Sequence, residues 1–139
     1  MQVILSPYLN FMGQTRQAME FYKSVLGGEL VMQTCEQSGQ AKSDDEKGLV
    51  MHAVLKNESL MFMASDGNAE HPVKTVGDNI HLSLSGTDEI ALTKYFNGLA
   101  EGGKVDFPLA KQFWGDTFGM LTDKFGIHWM VNIASTEQK

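Results

Sequence analysis

A single cysteine, Cys35, excludes an internal disulfide and with it the small secreted scaffolds that rely on disulfides. No basic residue neighbours Cys35 in sequence to activate its thiol, so it reads as a small strand residue. Basic residues are also few. Eleven Lys and Arg against seventeen Asp and Glu leave a net charge of −6. No Lys/Arg cluster is present to neutralise a phosphate backbone, so a nucleic-acid partner is excluded as an expectation. No apolar run approaches the roughly 20 residues of a membrane span. The opening MQVILSPYLNF has no basic lead-in and carries a proline at position 7, so no signal peptide and a cytoplasmic location are expected. Paired carboxylates, a Ser-His-Asp order and a Cys-His arrangement are all missing, which removes the common hydrolytic constellations.

What is present is a globular composition, 42% apolar and 20% charged, in a chain of 139 residues, long enough to bury a real core. From Gln14 to Leu26 the residues Ala18, Met19, Phe21, Tyr22, Val25 and Leu26 recur at helical spacing, closed by Gly27-Gly28. The plan returns about seventy-five residues later. Thr87 stands as an N-cap, Asp88 and Glu89 fill the first turn, and Leu92, Tyr95, Phe96 and Leu99 line one face before Gly102-Gly103. A strand-like run precedes each helix, VILSPYLNF or NIHLSLS. Three follow it: ELVMQTC, GLVMHAVL and SLMFMAS, then KVDFPL, DTFGMLT and IHWMVNIA. The expectation is one domain over 1–139, with a first module at about 1–66 and a second at about 77–135. The polar segment 36–48 is expected to be a long mobile loop and a candidate lid, and 65–78 to join the halves.

The stretches YLNF, AMEFYKSVLGGEL, MHAVL…SLMFMASD and GGKVDFPL…FWGDTFGMLTDKFGIHWMVN resemble the vicinal oxygen chelate superfamily, which holds glyoxalase I, the bleomycin-resistance proteins and the extradiol dioxygenases. The details resemble its PhnB-like branch, over nearly the whole chain. The resemblance implies an α+β fold: two βαβββ modules forming an open curled sheet, a cup with helices outside and the ligand within. A ubiquinone methyltransferase name attaches to this branch, but no glycine-rich loop follows a strand to cradle S-adenosylmethionine, so no such cofactor is expected. The resemblance also implies metal ligands on the first and last strand of each module, His or Gln on the first and Glu on the last. Laid on this chain, the Glu positions hold Met130 and Met61. The His position of the second module falls nearest Asn79, with His81 one step further, while Pro7, Tyr8 or Asn10 take that place in the first. Thioethers are soft, weak ligands for hard divalent ions, so no metal is expected.

Strand parity gives a second view. Ile80, Leu82 and Leu84 share one face, expected beneath a helix, while Asn79, His81, Ser83 and Ser85 share the other. In the closing strand Trp129, Val131 and Ile133 face the core and His128, Met130 and Asn132 the cavity. If the first and last strands pair, His81 and His128 are neighbours. A short turn at Asn57-Glu58 would pair Leu55 with Leu60, Val54 with Met61 and His52 with Met63. The expected ligand-binding set is therefore His52, Met61, Met63, Asn79, His81, Trp114, His128 and Met130. Flexible methionines suit varied flat or apolar ligands, and an indole offers a stacking face. The same methionines read equally as core filler, the histidines as satisfied or surface residues, and Trp114 as a core anchor. Asp116 and Lys111 read as solvated loop charges rather than as an acid-base pair.

Function then divides between a small-molecule binding protein without the usual metal and a divalent-metal lyase, isomerase or dioxygenase using a His-rich site, with a filled scaffold as a third reading. Open sheet edges and the modular plan favour a homodimer.

Overall fold

The computed structural model describes residues 3–39, 41, 43–67 and 76–135. The chain forms two compact units, Met1–Thr75 and Val76–Lys139. In the first, β1 (Tyr8–Asn10), α1 (Thr15–Leu26), β2 (Glu29–Thr34), the one-turn α2 (Cys35–Ser38), β3 (Val50–Lys56) and β4 (Met61–Ser65) follow in order. The second holds β5 (Leu82–Gly86), α3 (Glu89–Ala100), β6 (Lys104–Lys111), β7 (Thr117–Thr122) and β8 (His128–Ile133). Each unit has one four-stranded sheet, ordered β1-β4-β3-β2 or β5-β8-β7-β6, with its first and last strands parallel and the other pairs antiparallel. This is the α+β plan of two βαβββ modules. Among the described residues no helix is long and apolar enough to cross a membrane.

Each sheet buries one face under its helix. Ala18, Met19, Tyr22 and Leu26 of α1 and Ala53, Leu55, Phe62 and Ala64 of the sheet form the first core. In the second, Leu92, Phe96 and Leu99 join Leu121, Trp129, Val131 and Ile133. Gly119 allows the contact, because a Cβ there would stand 2.8 Å from the Phe96 ring and 2.9 Å from the Leu109 backbone. Pro108 sits in β6, an edge strand, where its missing N–H costs least, and the ladder to β7 shifts between Val105 and Phe107 and again across Pro108, between Phe107 and Ala110.

Several expectations are corrected. Asp88, not Thr87, caps α3, its carboxylate accepting from the Ala91 N–H at 3.0 Å. Ile80 does not pack beneath a helix but is 74% exposed, because the strand begins only at Leu82. The first strand is likewise shorter than VILSPYLNF, with Val3, Ile4 and Leu5 exposed ahead of Tyr8. The expected loop 36–48 carries short regular turns at its described residues. Thr34 and Gln37 form a reciprocal cap on α2, Cys35 and Glu36 donate to Leu49 and Lys47 carbonyls, and a 3₁₀ turn covers Asp44–Glu46. Most of the 65–78 connection lies outside the described residues.

Candidate functional site

The face of the second sheet turned away from α3 is built by alternation. Register aligns Thr122 with His128 in one row, then Phe107, Met120, Met130 and Ser83, then Ala110, Phe118, Asn132 and Ser85. Imidazoles therefore occupy one end, methionines the middle and aromatic rings the other end. Rings continue outward from Phe107 to Phe118 at 6.0 Å, Trp114 at 6.2 Å and Phe113 at 4.9 Å. Trp114 is 43% exposed whereas Trp129 is 2% exposed, so Trp129 and not Trp114 is the core anchor.

The expected neighbours His81 and His128 meet, with ring centroids 5.4 Å apart and planes tilted by 40°. His128 is held at both nitrogens: Nδ1 lies 2.9 Å from Thr122 Oγ1 and Nε2 3.2 Å from the Gly77 carbonyl. Thr122 in turn donates to Asp106 at 2.6 Å, and Lys104 Nζ stands 3.9 Å from that carboxylate. Asn79 is exposed ahead of β5. Asp116 is no solvated loop charge: it accepts from Asn132 Nδ2 at 3.1 Å and from the Ser135 N–H at 2.9 Å, fixing the amide of the open face. Lys111 lies exposed at the end of β6.

In the first sheet the open face carries His52, Val54, Met61 and Met63 together, as parity predicts, but the hairpin register is displaced by two residues. Val54 pairs with Met63 and Lys56 with Met61, because Asn57 Oδ1 accepts from the Ser59 and Leu60 N–H groups and stabilises a longer turn. Tyr8, opposite Met63, places its hydroxyl 3.1 Å from His52 Nδ1. The turn also resets the internal alignment. Asn57 N–H donates to Leu60 O as Asp123 N–H donates to Ile127 O, so the counterpart of Met130 is Met63 rather than Met61. The opening-strand partners of these two methionines are Tyr8 and Ser83.

Two buried carboxylates escaped the sequence reading. Asp66 accepts from the Gly13 and Thr15 N–H groups, the Thr15 hydroxyl and the Val50 N–H, at 2.6 to 3.0 Å. Asp123 accepts from the Phe125 and Ile127 N–H groups and from the Trp129 indole. Phe107, Phe118, Met120 and Thr122 were also missed. The alternation in DTFGMLT, treated as that of the closing strand was, would have placed the last three. Cys35 is buried, and desolvation, then Glu46 and Asp66, push its thiol up from the ordinary range, which keeps it protonated and unreactive.

A family model described as 3-demethylubiquinone-9 3-methyltransferase matches residues 4–132. The chain belongs to that family. It is similar to protein PA1353 from Pseudomonas aeruginosa, with 37% identity and a TM-score of 0.80, covering 96% of this chain and 99% of that one. A Bacillus cereus protein described as a putative 3-demethylubiquinone-9 3-methyltransferase, PhnB protein, shares 27% identity at a TM-score of 0.74, over 95% of this chain and 100% of that one. A glyoxalase/bleomycin resistance protein/dioxygenase family enzyme from Burkholderia phytofirmans matches in fold alone, with 14% identity, a TM-score of 0.60, and coverage of 91% of this chain and 95% of that one. The PhnB-like resemblance and the glyoxalase-like fold therefore hold.

The cofactors these relationships imply fit poorly. S-adenosylmethionine would need free N–H groups at a strand-to-helix turn, but the Gly13 and Thr15 N–H groups at the opening of α1 are bonded to Asp66 and the Ala91 N–H of α3 to Asp88. A hard divalent ion at the strand-paired positions would meet the thioethers Met63 and Met130 beside Tyr8 and Ser83. Both nitrogens of His128 are already bonded, and among the described residues no three His, Cys, Asp or Glu side chains converge.

Proposed function

We propose that this PhnB-like chain binds a small, partly aromatic or apolar molecule on the open sheet faces that the resemblance assigns to the cup, without the superfamily's metal. One observation carries the reading. The open face of the second sheet sets Met120 and Met130 beside the Phe107, Phe118 and Trp114 rings, half-exposed, while α3 covers the opposite face. Thioethers adapt to ligand shape, and exposed rings recover free energy when a flat molecule covers them. The same proposal includes a homodimer, supported by the edge strands β2 and β6.

The test is a titration with 2-methoxynaphthalene, followed by the methyl resonances of Met120 and Met130. Saturable shifts are expected, and Trp114→Ala should weaken binding roughly tenfold, the equivalent of about 1.4 kcal/mol of lost stacking. Absence of any saturable shift would overturn the reading.

A further inference from the structure

The two neighbouring imidazoles are chemically unequal. The Gly77 carbonyl can only accept, so His128 Nε2 carries a proton and spends it there at 3.2 Å. Nδ1 is engaged by Thr122 Oγ1 at 2.9 Å. His128 thus has no nitrogen to spare for a ligand. The ring of His81 is half-buried beside it at 5.4 Å, and among the described residues it makes no hydrogen bond. It stands one alternation from Ser83, at the end of the row that runs through Met130 and Met120 to Phe107. With strands about 4.8 Å apart, a fused bicyclic ring over Met120 and Met130 puts its substituent roughly one strand further on, over β5 near Ser83 and His81.

The chemistry of that substituent is constrained. The Asp106 carboxylate behind Thr122, already beside Lys104, and a net charge of −6 disfavour an anionic tip. A neutral hydroxyl fits, because it can donate to the imidazole lone pair and accept from a serine hydroxyl such as Ser83.

We propose that His81 contacts the ligand by accepting a hydrogen bond from the hydroxyl of a neutral hydroxylated aromatic molecule, while Asp106, Thr122 and His128 form a positioning chain that holds the His81 ring. The proposal rests on the small-molecule reading above and narrows it to a ligand class.

The experiment compares 2-naphthol with 2-methoxynaphthalene, two flat molecules that differ in the hydroxyl hydrogen, using the methionine methyl resonances. The wild-type chain should prefer 2-naphthol by about 3- to 10-fold, the range one hydrogen bond supplies. His81→Phe should bring the ratio to about one, and His81→Gln, which keeps an acceptor, should restore part of it. Thr122→Val, close in shape, should lower the ratio by weakening 2-naphthol more than the methyl ether, a selective change that loss of a merely structural contact would not produce. A wild-type ratio of one, or an undiminished ratio in His81→Phe, overturns the role of His81 while the broader binding reading survives. An unaltered ratio in Thr122→Val overturns the positioning chain. If neither compound binds, both readings fall.

Discussion

Removing the Asp66 carboxylate should destabilise the chain more than any exposed charge change. Its Oδ1 takes three hydrogens, from Gly13 N–H, Thr15 N–H and the Thr15 hydroxyl, and its Oδ2 takes the Val50 N–H at 2.8 Å. It thereby caps α1 from the end of β4, since the N-cap residue Gln14 supplies no side-chain bond of its own. In Asp66→Ala the hydroxyl can rotate and water can reach Gly13, but the Thr15 and Val50 N–H groups stay buried. Two stranded donors at about 1–3 kcal/mol each give roughly 2–6 kcal/mol. At about 3–4 °C per kcal/mol for a chain of this size, Tm should fall by roughly 6–24 °C. Asp66→Asn keeps the Oδ1 acceptor but turns an NH₂ group toward the Val50 N–H, so a cost of about 1–3 kcal/mol is expected. Thermal unfolding followed by circular dichroism, with the exposed Asp45→Ala as control, measures all three. An Asp66→Ala loss no larger than that of the control would refute the argument.

Three further outcomes are expected. Untagged protein should contain no stoichiometric divalent metal, and added Zn, Ni, Mn or Fe(II) should leave Tm nearly unchanged, whereas a site filled at 100 times its dissociation constant would add about 2.7 kcal/mol. Near-stoichiometric metal lost in His81→Ala would reverse that conclusion. Because burial, Glu46 and Asp66 push the Cys35 thiol up, the folded chain holds its proton more tightly than the unfolded chain. That contribution is complete below the ordinary thiol range and is lost as pH rises through the raised value; Cys35→Ala should flatten the alkaline decline in a pH series of melts, and an unchanged slope would count against it. Light scattering after size exclusion should give a dimer mass, and a monomer would end the proposed pairing.

Short-range periodicity made most of the architecture legible. The long helices α1 and α3, the strands and the inward set Trp129, Val131 and Ile133 follow from spacings of 3.6 and 2, whereas the meeting of His81 with His128 also needed the strand pairing that the resemblance implies. What stayed hidden depends on contacts between distant residues or on side chains that reshape a turn. Asn57 lengthens its hairpin and slides Met61 and Met63 by two places while leaving their face unchanged, since a shift of two preserves parity. The partners of Asp66 lie 16 to 53 residues away in sequence, and no local pattern announces them. Thr122 and His128 are only six apart, yet their bond exists because the Asp123 turn folds β8 back onto β7.

The internal repeat then sharpens the chemical argument. Once the turns at Asn57 and Asp123 are superposed in sequence, both modules carry methionine on the closing strand, Met63 and Met130, and a hydroxyl residue opposite, Tyr8 and Ser83. A single thioether would be a local exception; the same one in both halves gives each sheet an open face of one character, apolar and deformable. The histidines beside these positions follow the same division of labour. His52 is tied to the Tyr8 hydroxyl and His128 to Thr122 and Gly77, which leaves His81 as the imidazole whose ring nitrogens take no hydrogen bond among the described residues. A metal site needs several free donors on one point, whereas recognition of a flat molecule needs a soft surface and one or two directed hydrogen bonds. The proposed binding of a flat molecule draws on the second set.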